Sequence, residues 1–148
     1  VIAPIMTETG GGICRQTIYY PYLHASMFGR GVSLHTVEES PKYDSKDFTD
    51  VPYLQTAATW NEEKEELTIF ALNRSLDTAL NLDCVLKGFE GYKPVENIKL
   101  TGSDLKAVNT VKNPDNVKPV SAPLPAVDDR KLNVVLKPAS WNVIRLKK

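Results

Sequence analysis

Apolar residues follow two rhythms along this chain, and the change comes near Gly31. Between Ile13 and Phe28 they recur at helical spacing: Ile18 and Tyr22 stand four apart, as do Tyr19, Leu23 and Met27. The spacing predicts an amphipathic helix stopped by Gly29 and Gly31. Pro21 either bends that helix or marks a regular part starting near Tyr20, because an interior proline removes a backbone donor. Ahead of it, Ile2 to Met6 is a short apolar strand, ended by Thr7-Glu8-Thr9 and the flexible run Gly10-Gly11-Gly12. Strand, loop and helix in that order make one βα unit, which cannot stand alone because a parallel strand needs neighbours.

Beyond Gly31 short strand-like runs take over: Val32–Val37, Tyr53–Trp60, Leu67–Asn73, Ala79–Leu86, Tyr92–Leu100, Leu132–Leu136 and Trp141–Leu146. Such a series predicts an antiparallel sandwich or barrel. Leu67, Ile69 and Ala71 share one face and Thr68, Phe70 and Leu72 the other, so this run is predicted to be a central strand, apolar on both sides. Leu80, Leu82 and Cys84 face one way while Asn81 and Asp83 face out, which predicts a half-exposed strand. The charged stretch Asn61 to Glu66 is a solvated hairpin connection. Residues 113–126 hold four of the ten prolines and little periodicity, as expected of a long surface loop or edge segment.

A chain of 148 residues with 42% hydrophobic and 24% charged residues has the composition of an ordinary globular domain. At this size it can bury enough surface to fold without a metal or disulfide. Its 18 basic and 18 acidic residues cancel, which removes the electrostatic footprint of a nucleic-acid binder or membrane-surface protein. No apolar run approaches the roughly 20 residues that span a bilayer. An apolar strand beginning at Val1, without an initiator Met or a signal-peptide layout, reads as cut from a longer chain.

Catalytic signatures are sparse. There is no G-x-S-x-G, Walker loop, H-E-x-x-H or dinucleotide-binding fingerprint, and the three-glycine run lacks the Lys-Ser/Thr of a phosphate loop. Cys14 and Cys84 form no ligand motif and read as two buried thiols, with a disulfide as the alternative. His24 in the helix and His35 in the first sandwich strand read as packed or surface histidines rather than ligands. Glu8 follows a strand at its carboxyl end, where barrel enzymes place functional residues, but no second acid stands at an equivalent strand end to complete a glycosidase pair. Tyr53, Trp60, Tyr92 and Trp141 could form a sugar-stacking platform, yet their spread over separate runs favours core packing.

A family resemblance becomes specific in the run Val1-Ile-Ala-Pro-Ile-Met-Thr-Glu, then Arg15-Gln16-Thr17-Ile18-Tyr19-Tyr20-Pro21, His24-Ala25-Ser26 and Gly29-Arg30-Gly31. Asn61-Glu62-Glu63-Lys64, Phe70-Ala71-Leu72-Asn73-Arg74 and Ala139-Ser140-Trp141-Asn142-Val143-Ile144-Arg145 continue it in order. The chain resembles the C-terminal region of α-L-arabinofuranosidases of glycoside hydrolase family 51. It departs at Cys14, where that family often has Trp, so a substrate contact of that Trp does not carry over. The resemblance implies a mainly β chain: a jelly-roll-like antiparallel β-sandwich over residues 31–148, preceded over 1–30 by the last strand, loop and helix of a (β/α)₈ barrel. It implies a retaining hydrolase that releases terminal arabinofuranose from arabinan and arabinoxylan, whose two catalytic glutamates lie upstream of Val1. The chain is then a non-catalytic buttress with no catalytic, cofactor or metal residues of its own; an autonomous carbohydrate-binding module is the alternative. The implied partners are the rest of the barrel, the parent's arabinose-containing substrate and, in a homo-oligomer, a second copy, with nucleic acid and membrane excluded. The compartment stays open between cytoplasm and periplasm or exterior.

Overall fold

The computed structural model describes residues 3–148, so Val1 and Ile2, the start of the first predicted strand, lie outside the described residues. The chain opens with a hairpin, β1 (Ile5–Thr7) antiparallel to β2 (Ile13–Arg15), followed by α1 (Tyr19–Phe28). Two of the sequence expectations change here. Ile13 to Arg15 are strand, so the helix starts at Tyr19, near the later of the two starts that Pro21 allowed. Pro21 then falls in the first turn, where its missing N–H would have had no helical partner anyway. The described part of the first strand pairs with an antiparallel neighbour rather than standing as a lone parallel strand.

The rest is a two-sheet sandwich. Its larger sheet is built from β3 (Val32–Leu34), β6 (Leu54–Asn61), β7 (Glu66–Asn73), β9 (Lys93–Leu100), β10 (Val120–Ser121) and β13 (Ser140–Lys147), in the order β10-β9-β13-β7-β6-β3. Every pairing in it is antiparallel. The smaller sheet, β11-β12-β8, joins β8 (Leu80–Val85), β11 (Ala126–Asp128) and β12 (Lys131–Leu136). A two-residue ladder, β4 (Lys42–Tyr43) with β5 (Val51–Pro52), bridges the loop before β6. The predicted run Val32–Val37 shrinks to three residues, leaving His35 beyond the strand and Val37 87% exposed. Short β3 and β10 at the two ends leave little free edge for another strand to add to. At the entry to β3, Gly31 (φ 131°) has no room for a Cβ, which would stand 2.2 Å from the Trp60 carbonyl oxygen of β6.

The sandwich core lies between the sheets, where Leu67, Ile69 and Ala71 of β7 meet Leu132 and Leu136 of β12, Leu82 of β8 and Ile144 and Leu146 of β13. The opposite face of the large sheet is also closed: Thr68, Phe70 and Val143 are buried there. β7 and β13 are therefore covered on both sides, which is why β7 alternates without a polar face. β8 keeps the half-exposed pattern, with Leu82 buried, Leu80 and Cys84 half-buried and Asn81 and Asp83 exposed. Pro94 sits where the β13–β9 register shifts beside Arg145 and Leu146, a bulge that accommodates a residue with no N–H. Asn73, fully buried, donates to the carbonyls of Thr78, Leu136 and Lys137 and accepts from the Ser75 N–H, fastening the end of β7 to the turn before β13.

Ile144 is 0% exposed at the centre of this core, so Ile144→Ala should cost about 2–5 kcal/mol in urea unfolding. Val135→Ala, at a side chain 56% exposed, should stay within about 0.5 kcal/mol. An equal effect at both positions would misplace the core.

Candidate functional site

Helix α1 lies over the outer face of the large sheet, and the contacts across this junction are chemically specific. Tyr20 and His24, one turn apart, are its buried residues, with Phe28 continuing the same face. The predicted Tyr19-Leu23-Met27 stripe is not the inward one: Met27 is 55% exposed, and Tyr22 is 66% exposed. Indole Nε1 of Trp141 on β13 donates to His24 Nδ1 at 3.1 Å, and the Trp141 ring stacks on Phe70 of β7. The accepting nitrogen of His24 is unprotonated, so the neutral ring carries its proton on Nε2. His24 is the packed histidine the sequence suggested, whereas His35 is exposed.

Below the last turn of α1, the Arg145 guanidinium lies 4.2 Å from the Phe28 ring centroid. Its Nε and Nη2 each bond Glu66 Oε1 at 2.8 Å, and its Nη1 bonds Glu96. Lys147 adds a 3.5 Å contact to Glu66. Glu66, expected to be part of a solvated turn, is only 7% exposed because it opens β7 opposite Lys147 and turns inward to this guanidinium. Burial opposes the charge on Arg145, but the hydrogen bonds it donates to Glu96 and Glu66, with the attraction of both carboxylates, outweigh it and hold the guanidinium pKa above its ordinary value. This cluster places two carboxylates together, yet both are bound to one arginine. A carboxylate so engaged is poorly placed to protonate a glycosidic oxygen or attack a sugar carbon.

The other candidates also resolve. Glu8 sits exposed in the β1–β2 turn, where the Glu8 N–H bonds the Gly12 carbonyl. No group of three or more His, Cys, Asp or Glu residues converges to hold a metal among the described residues. Cys14 and Cys84 are free thiols, the first buried and the second half-buried, which removes the disulfide alternative; burial pushes the Cys84 thiol above its ordinary pKa. Trp60 donates to the Tyr92 hydroxyl at 3.1 Å and meets Phe89 edge-on, while Tyr53 stacks on Tyr43 at 4.7 Å. None of Tyr53, Trp60, Tyr92 and Trp141 is exposed, and each packs against a ring of the chain itself. Two residues that carry the junction were not singled out from the sequence. Arg145 was detectable as a charge inside an apolar strand, but its partners lie 79 and 49 residues away in the chain. Asn109, 2% exposed in the segment between β9 and β10, carries no periodic signal at all.

A hairpin and a helix close one outer face of a two-sheet antiparallel sandwich, an architecture that defines a mainly β domain. The family model described as the α-L-arabinofuranosidase C-terminal domain matches residues 1–140, and the chain belongs to that family. It is 52% identical over 148 residues to the intracellular exo-α-(1→5)-L-arabinofuranosidase of Halalkalibacterium halodurans, covering 100% of this chain and 29% of that protein. It is 51% identical, with the same coverage, to the intracellular exo-α-(1→5)-L-arabinofuranosidase 1 of Bacillus subtilis. The chain thus spans 29% of the length of these two curated relatives. Among solved structures, the family 51 α-L-arabinofuranosidase AbfB of Bifidobacterium longum superimposes with a TM-score of 0.89 at 28% identity, over 98% of this chain and 28% of that one. The family 51 enzyme of Thermotoga petrophila gives 0.81 at 26% identity, over 97% of this chain and 31% of that one.

His24 generates a pH signature. Burial lowers its pKa from the ordinary 6.5, partly opposed by the Glu96 carboxylate. The unfolded chain therefore binds the proton first as pH falls. Stability from this group is complete above 6.5 and is lost as pH falls from there through the lowered folded value. Between pH 7.5 and 5.5 the unfolding midpoint of the wild type should drop more than that of His24→Phe. Parallel pH profiles would refute the assignment.

Proposed function

We propose that this chain is the non-catalytic C-terminal part of a family 51 α-L-arabinofuranosidase and that it buttresses the catalytic barrel. In this reading residues 1–30 are the last strand, loop and helix of that barrel, and residues 31–148 are the β-sandwich. The observation that carries it is the exposure of four large apolar side chains on the N-terminal unit: Ile5 is 49% exposed, Ile13 66%, Tyr22 66% and Met27 55%. Exposed apolar side chains gathered on so short a segment favour a docking surface. The occupant is the preceding part of the same polypeptide, because the matched relatives are more than three times as long as this chain. β1 bonds to β2 on one side only, which leaves its other edge for a barrel neighbour.

The parent activity is release of terminal arabinofuranose from arabinan and related oligosaccharides, with α-(1→5)-linked arabinosides favoured by the names of the two curated relatives reported above. Those names also support an intracellular site of action. The inward packing of Tyr53, Trp60, Tyr92 and Trp141 speaks against an autonomous sugar-binding module.

The chain alone should not hydrolyse an aryl α-L-arabinofuranoside, and the full polypeptide that carries it should. Tyr22→Glu and Met27→Glu should change the unfolding free energy of the chain alone by no more than about 0.5 kcal/mol, as expected for exposed positions. The same changes should clearly lower the melting temperature of the full polypeptide. Indifference in both settings would show that nothing docks on this face. A saturable change in tryptophan fluorescence of the chain on titration with arabino-oligosaccharide would instead promote the binding module.

A further inference from the structure

We propose that the connection between β9 and β10, residues 101–119, is a strap that sets the position of the β1–β2 hairpin, with Asn109 as its positioning residue. Through this strap the sandwich shapes one wall of the sugar site of the parent glycosidase. That second step rests on the proposed function, in which β1 continues the last barrel strand and the hairpin turn stands at its carboxyl end. Barrel enzymes build their active sites from the loops at those ends.

The hairpin needs such support. It has three residue pairs and a turn containing Gly10, Gly11 and Gly12, and an isolated two-stranded ribbon of this kind is marginal in water. Asn109 supplies the support with nearly every polar atom it has. Its Oδ1 accepts from the Val117 N–H at 2.7 Å and its Nδ2 donates to the Val117 carbonyl at 2.8 Å, closing the strap on itself. The same Nδ2 donates to the Arg15 carbonyl of β2 at 2.8 Å. The Asn109 carbonyl accepts from Gln16 Nε2 at 3.1 Å and faces the Cys14 thiol at 3.8 Å. One strap residue thus holds three consecutive residues, Cys14, Arg15 and Gln16. It is 2% exposed, while its neighbour Val108 is 57% exposed, so its burial comes from these contacts and not from an apolar stretch around it.

A second contact fixes the same geometry independently. A Cβ on Gly12 would stand 2.8 Å from Val111 Cγ1, so strap and hairpin turn are in direct van der Waals contact at a position where glycine alone fits. A displacement of about 1 Å at a reacting site can cost about 100-fold in rate. A hairpin held from two sides by the strap is thereby protected from that loss.

The test measures amide exchange and steady-state kinetics in the full polypeptide, with an aryl α-L-arabinofuranoside as substrate. Asn109→Ala should speed exchange of the Glu8 and Gly11 amides by roughly tenfold or more, through local opening, and leave β7 and β13 amides unchanged. It should lower kcat roughly 10- to 100-fold with KM changing far less. Gly12→Ala should act in the same direction by pushing on Val111, and adding Val111→Ala should restore both readouts, which a general loss of stability would not do. Hairpin exchange at wild-type rates in Asn109→Ala would overturn the strap. A loosened hairpin with wild-type kcat and KM would overturn its place at the sugar site. An unmodified polypeptide without turnover would refute the proposed activity, while the exchange rates would still decide the strap.

Discussion

The structure depends on one constraint: β7 and β13, the two central strands of the large sheet, are buried on both faces. Their inner faces meet the small sheet, and their outer faces carry Thr68, Phe70, Trp141, Val143 and Arg145. An antiparallel sheet can leave one face in water, but a face bearing Phe70 and Trp141 loses too much apolar burial if left open. Something must cover it, and α1 does so with Tyr20, His24 and Phe28. The polar groups of that face then need partners. Trp141 finds His24, and Arg145 is neutralised by Glu66 and Glu96 under the Phe28 ring. Removing Arg145 would leave the buried Glu66 carboxylate uncompensated, a cost that the partial exposure of Arg145 and Glu96 reduces. These groups therefore fix where the helix sits more than they add net stability.

The local part of this architecture was legible in the sequence. Alternation within Leu67–Asn73 and Ala79–Leu86 identified a two-faced and a one-faced strand correctly, because period two reports burial directly. The helix was legible as a helix, but its inward side was not. The apolar Tyr22 and Met27 are exposed, while the buried positions are Tyr20 and His24, each with a polar tip. Periodicity finds apolar positions, but it cannot tell which of them a neighbouring element covers. Ile13 likewise sits at helical spacing yet belongs to β2, since the glycine run before it folds back into a hairpin.

Long-range polar contacts were illegible for a different reason. Asn109 lies in a segment without rhythm, where an asparagine ordinarily signals a turn. Its bonds to Arg15 and from Gln16 span more than 90 residues of chain. Glu66 looked like the last of a run of solvated charges. Only the register of β7 against β13, which sets it beside Lys147 and two pairs from Arg145 on the same face, turns it inward. Such residues become visible when strand pairing is known, because pairing decides which distant positions share a face.

Gly29-Arg30-Gly31 divides the chain in sequence more sharply than in energy. By topology, the hairpin and helix would go with the strands that precede them in a barrel. By contact, they belong to the sandwich as well: Trp141 to His24, Arg145 to Phe28, Thr59 to the Phe28 carbonyl at 3.2 Å, and Asn109 to Arg15. A cut at residue 30 would strip the outer face of β7 and β13 and leave the arginine cluster open to water. A sandwich joined to its N-terminal hairpin and helix in this way cannot rotate freely against them, since any rotation would have to break the indole–imidazole bond and the guanidinium–ring contact together. The polar contacts beneath the helix thus turn a chain connection into a rigid joint between the N-terminal unit and the sandwich.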